Sequence, residues 1–175
     1  MLSRRALLKK VNLPTPREEM VFRNLKKYGA PLSRPGTPGL DLTLEETLAE
    51  ALVLSRRFPF VAQVWPVMFV LNAGYVDFDL LEDLARGLGY GAVLGFFLSL
   101  VRSLVGDPEP TSAELRLADT RHEKPEMFFL VEHGPMAVGL AERRTPKVAC
   151  DWNFKMATPL EGFQDTFDTF VKRYA

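Results

Sequence analysis

The chain has 175 residues, 47% hydrophobic and 25% charged, with 22 basic side chains against 22 acidic ones. That is the length and composition of about one folded domain, and zero formal net charge argues against broad electrostatic capture of nucleic acid. The single cysteine, Cys150, excludes an intrachain disulfide and a cysteine-based zinc cluster; one thiol fits a reducing compartment, so the expectation is a cytoplasmic protein.

The charge is uneven along the chain. Residues 1–35 hold Arg4, Arg5, Lys9, Lys10, Arg17, Arg23, Lys26, Lys27 and Arg34 against Glu18 and Glu19 alone, whereas residues 41–83 carry eight acidic residues against Arg56 and Arg57. Such asymmetry marks either an interaction tail or two solvated faces that attract each other. The start, "MLSRRALLKKVNLPTPREE", has a basic flank but no long apolar run, which is not the pattern of a secretory signal.

"TPRE" predicts the first helix, with Thr15 as N-cap, Pro16 at the first helical position and Glu18 completing a capping box. It should run to Tyr28 and stop at Gly29, with Val21, Phe22, Leu25 and Tyr28 on one side and Glu19, Arg23, Lys26 and Lys27 on the other. "GAPLSRPGTPG" then forbids regular structure. This divides the chain into a basic arm with a Pro/Gly strap, residues 1–40, and a single globular domain, residues 41–175. Thr43 and Glu46 open a second helix over Leu44 to about Arg57. "FVAQVWPVMFVLN" reads as a buried helix kinked or broken near Pro66. Asp77 is the expected N-cap of "FDLLEDLARGL", whose Leu80, Leu81, Leu84 and Leu88 need a partner; Gly89 closes it.

"GYGAVLGFFLSLVRSLVG" follows. Its glycines do not give G-x-G-x-x-G, and a helix rather than a strand precedes them, so a phosphate loop is unsupported. A two-span membrane hairpin is the stronger rival, because residues 58–76 hold 19 uncharged positions and 87–101 a second uncharged run. Prolines, Gln63 and Asn72 in the first run, and the shortness of the second, disfavour it. The preferred reading is a soluble core helix in which Gly91, Gly95, Ser99 and Ser103 form a smooth ridge for a neighbouring helix. Gly106 ends it, and Ser112 caps a short helix in "AELRLADT". "MFFLVEHGPMAVGLAERR" reads as two short strands around His133–Gly134, or as a strand and then a helix. "DWNFKM" alternates Trp152, Phe154 and Met156 as a half-buried strand. Thr145 marks a weaker helix start, and Thr158, Pro159 and Glu161 open a last helix to Tyr174 with Leu160, Phe163, Phe167, Phe170 and Val171 facing the core.

The search for chemistry yields little. His122 and His133 are the only histidines, and neither stands in a metal-ligand or nucleophile–base spacing. Asp79 and Asp83 share a helix face but lack a third oxygen ligand. Neither a metal nor another cofactor is expected, and the chain is read as a non-enzyme.

The stretches "LTLEETLAEALVLSRR", "DFDLLEDLARGLGYGAVLGFFLSLV" and "AERRTPKVACDWNFKMATPLEGF" resemble bacterial antitoxin-like proteins paired with nucleotidyltransferase-type toxins. The resemblance covers about two thirds of the chain, includes no catalytic motif and lends no functional residue. It implies a protein that neutralises a partner. The fold class is therefore mainly α, with α+β as the alternative: a compact helical domain, a basic N-terminal helical arm and a small β element near 126–156. The expected activity is protein binding, with Arg17, Arg23, Lys26, Lys27, Trp65, Phe69 and Tyr75 as candidate contact residues. Nucleic-acid binding through residues 1–35 is the alternative, and self-association is compatible with either.

Overall fold

Three capping boxes fix three helix starts. Thr15 and Glu18 satisfy each other's backbone N–H groups at 3.3 and 2.7 Å, Thr43 and Glu46 at 3.2 and 2.8 Å, and Thr111 and Glu114 at 3.2 and 2.9 Å. The first two are the caps expected from sequence. The third moves the expected cap from Ser112 to Thr111, because Glu114 lies three residues beyond Thr111 and can close the reciprocal pair. The computed structural model describes residues 13–32, 40–130 and 134–171.

Among these residues the architecture is mainly helical: α1 (Pro16–Lys27), α2 (Leu44–Ser55), α3 (Pro59–Asn72), α4 (Phe78–Gly87), α5 (Gly91–Val105), the short α6 (Ser112–Arg116), α7 (Pro135–Arg144), α8 (Lys147–Cys150) and α9 (Leu160–Val171). One-turn 3-10 segments follow α3, at Ala73–Tyr75, and α6, at Leu117–Thr120. Sheet is confined to β1 (Glu126–Met127) and β2 (Phe154–Lys155), paired in parallel with Glu126 opposite Phe154. The strand at 126 thus pairs with the "DWNFKM" segment, and the helix alternative holds for the residues after Gly134. Arg34, His133 and Tyr174 lie outside the described residues.

α3 continues through Pro66 without a break. Proline removes one backbone donor, but Val61, Ala62, Trp65, Pro66, Val67 and Met68 are all buried, and packing on several sides holds the helix together. α2 lies against α3, α1 and α4 both pack on α2, and α9 lies on α3. α1 is no detachable arm. Val21, Phe22 and Leu25 belong to the same buried cluster as α2, α3 and α5, with the Phe22 ring 5.3 Å from Phe58 and 5.2 Å from Phe60. Burial of each such side chain contributes about 1.5–3 kcal/mol.

α5 runs through the centre, bounded by Gly89 and Gly106 in the left-handed region (φ 76° and 79°), and is buried continuously from Gly91 to Val101. Its small-residue ridge is covered by a tryptophan and a threonine, where a helix had been expected. A Cβ placed on Gly95 would stand 2.0 Å from the Trp152 ring, and one on Gly91 would stand 2.7 Å from the Thr120 methyl. Trp152 Nε1 donates to Ser99 Oγ at 2.9 Å, and Ser99 Oγ donates to the buried Glu114 carboxylate at 2.6 Å. Arg102 pairs with the same carboxylate at 3.1 Å. Ser103, the outer end of the ridge, is exposed. The ridge is a slot for one indole ring, closed by a hydrogen-bond chain that satisfies each buried polar group along it. No helix among the described residues is long and apolar enough to cross a membrane.

Candidate interaction surface

An aromatic line leads from the centre of the core to the surface at the start of α4. Trp65 stacks on Phe97 at 4.7 Å and on Phe69 at 5.1 Å, and Phe69 meets Phe78 edge-on at 5.6 Å. Trp65 also donates to the Leu48 carbonyl at 3.2 Å. Trp65 and Phe69 are therefore core residues and offer no surface to a partner. Tyr75, the third aromatic candidate, is 84% exposed, and Phe78 at the end of the line is 37% exposed.

At about 100° per residue, α4 divides into three sides. Leu81 and Ala85 face the core. On one side of them lies an ion-pair network: Glu82 sits between Arg86 at 3.0 Å and Arg116 at 2.7 Å, Arg86 also grips Asp119 at 3.0 Å, and Arg116 reaches Asp79 at 3.1 Å. Burial pushes the Glu82 carboxyl upward, but hydrogen bonds and charge from Arg116 and Arg86 outweigh it and leave the group below its ordinary value. The hydrogen bonds that Arg86 donates likewise hold Asp119 low, and donating to Asp119 and Glu82 holds the Arg86 guanidinium above its ordinary value. On the other side lie Leu80, Leu84 and Leu88 at one-turn spacing, with Leu80 and Leu88 42% and 45% exposed. Asp83 lies on the outer side between the network and the leucines, exposed and with no ion pair among the described residues.

Among the described residues this leucine shoulder is left uncovered at Leu80 and Leu88. Arg116 of α6 and Asp119 of the 3-10 turn after it hold α4 by its charged side, while α2 and α5 cover its base. Nothing described lies across the opposite side. Aspartate at the helix start is consistent with this arrangement: Asp77 caps α4 by accepting from Asp79 and Leu80 backbone N–H at 3.1 Å each, and its own N–H donates to Glu45 of α2 at 2.9 Å.

The basic candidates on α1 do not form a free cationic face. Arg17 pairs with Glu50 at 2.7 Å, and Glu18 of the same helix pairs with Arg57. The Lys27 ammonium stands 5.0 Å over the Tyr28 ring. Arg23 is half-buried, and Lys26 is exposed. The basic helix thus packs on the acidic segment at Glu50.

Two other places bear polar groups. Buried Arg56 donates to the Phe128 and Met127 carbonyls at 2.7 and 2.8 Å and pairs with Glu126 at 2.7 Å, which fixes β1 to α2. His122 lies against the Phe154 ring at 5.1 Å, its Nε2 3.5 Å from the same Glu126 oxygen. Glu126 is already committed to Arg56. A shallow groove of about 220 Å3 between α5, α8 and the start of α9 is lined by Arg102, Ser103, Pro146, Lys147, Val148, Asp151 and Leu160. Its charged groups are spent on Glu114 and on each other, with Lys147 and Asp151 2.9 Å apart. Among the described residues no cluster of three histidine, cysteine or acidic side chains could hold a metal ion.

Phe78, Leu80 and Leu88 were not among the contact residues chosen from sequence. The sequence carried no signal for them, since Leu80, Leu81, Leu84 and Leu88 fall within about 100° of arc, the width of an ordinary buried stripe. No family model, curated protein or solved structure matches the chain.

Proposed function

We propose that this chain is a small regulatory protein that binds another protein and neutralises it, as the antitoxin-like proteins it resembles do, and that the bare side of α4 is where the partner docks. The observation that carries the reading is the leucine shoulder: Leu80 and Leu88 exposed two turns apart on one side of α4, with half-buried Leu84 between them. Apolar side chains grouped in this way, with a charged rim, are the usual core of a protein–protein contact. The exposed single thiol, Cys150, suits a reducing compartment.

The test is affinity capture from the native host with the full chain and with a Leu80→Asp/Leu88→Asp variant. A protein recovered by the former and lost by the latter, at unchanged melting temperature, supports the reading. Expression of that protein should arrest growth, and co-expression of this chain should relieve the arrest. Recovery of the same proteins by both baits, or relief by the variant as well, would overturn it.

A further inference from the structure

Resting on that reading, we infer that the partner presents a cationic amphipathic helix to the α4 face. The geometry sets the shape of the occupant. Leu80, Leu84 and Leu88 span about 12 Å at 1.5 Å per residue, two turns of a helix whose own one-turn ridge can lie beside them. The charge sets its sign. Asp77 and Asp83 border the shoulder, both exposed, while the guanidiniums of Arg86 and Arg116 lie on the opposite flank of α4, spent on Glu82, Asp79 and Asp119. Asp83 is left to meet a lysine or arginine on the flank of the incoming helix. A second copy docked through the same face would bring Asp83 toward its symmetry mate, a like-charge contact that costs affinity. A phosphate backbone is repelled for the same reason.

Two synthetic amphipathic peptides of about 18 residues, long enough to be helical, make the probe. Both carry a leucine stripe; one has lysine flanks and the other glutamate flanks. Binding to the full chain is read by fluorescence anisotropy. The lysine peptide should bind about tenfold more tightly than the glutamate peptide, and raised salt should erode the difference. Asp83→Lys should reverse the preference. Leu88→Asp should weaken both peptides while leaving the melting temperature unchanged.

Equal binding of the two peptides, or no change with Asp83→Lys, would overturn the inference. The capture experiment with the leucine variant would still stand, so the two failures are distinguishable. A wild-type dimer that Leu88→Asp converts to monomer would also overturn it, by assigning the face to a second copy. So would a tenfold gain in lysine-peptide affinity on deleting residues 1–12, which would assign the face to the chain's own basic segment.

Discussion

α4 and α5 are neighbours in sequence, both rich in leucine, and the structure treats them oppositely. α5 is enclosed from Gly91 to Val101: α3, α4, α6, α8 and α9 pack around it, and Trp152 occupies the slot that Gly95 leaves open. α4 is held at its base and on its charged flank, and none of the described residues lies across its third side. The difference lies in how the two helices spend their side chains. α5 alternates large side chains with glycine and serine, so other elements can approach it closely. α4 carries carboxylates and an arginine beside its leucines, and the ion-pair network they form recruits α6 to one flank only. A helix packed all round has no surface left for a partner; one packed on two sides out of three has.

The sharpest way to break this contrast is to empty the slot on α5. Trp152→Ala should cost about 3–5 kcal/mol, because it removes a ring at 1% exposure and leaves Ser99 and Glu114 without the end of their hydrogen-bond chain. Denaturant melts measure it, and a loss below about 1 kcal/mol would mean that the indole is not the cover of the ridge. Filling the slot instead, Gly95→Ala should cost about 3 kcal/mol by overpacking, a larger penalty than the few tenths to 1 kcal/mol gain in helix propensity can offset. Wild-type stability in this variant would show that Trp152 can stand off from α5.

The charged side of α4 is tested by pH. The folded-state pKa of Glu82 lies below its ordinary value of 4.5. Its contribution to stability is therefore fully present above that value and is lost as the pH falls through the folded-state pKa. Melting temperature should drop on acidification below about pH 4.5, and Glu82→Gln should remove part of that slope. An unchanged slope would place the acid sensitivity elsewhere. The smallest expected effect on folding sharpens the comparison most: Leu88→Ser should change stability by less than about 0.5 kcal/mol, whereas the same change at buried Leu98, 5% exposed, should cost several-fold more. Equal costs at the two sites would remove the distinction between a satisfied and an unsatisfied helix.

Much of the architecture was legible because it rests on local chemistry. The caps at Thr15, Thr43 and Asp77, the glycine stops after α1, α4 and α5, and the alternation of Trp152, Phe154 and Met156 all depend on residues within a few positions of one another. The errors were non-local. Trp65 and Phe69 look like surface anchors only until α2 and α5 close over them. Pro66 looks like a helix break only in the absence of the packing that holds α3 together. The partner of β1 lies in a segment beyond α7 and α8, and no hairpin signal can announce a parallel pairing of that kind.

The sequence by itself determined that the chain is helical, where most helices begin and end, and that it holds two apolar segments needing burial, because capping, periodicity and glycine stops act over one or two turns. Only the tertiary structure decided that an indole covers the ridge of α5, that the basic α1 packs on acidic α2, and that the described residues leave one side of α4 uncovered. Those outcomes depend on which side chains arrive from distant positions, and burial is a property of the assembled neighbours rather than of any single stretch of chain.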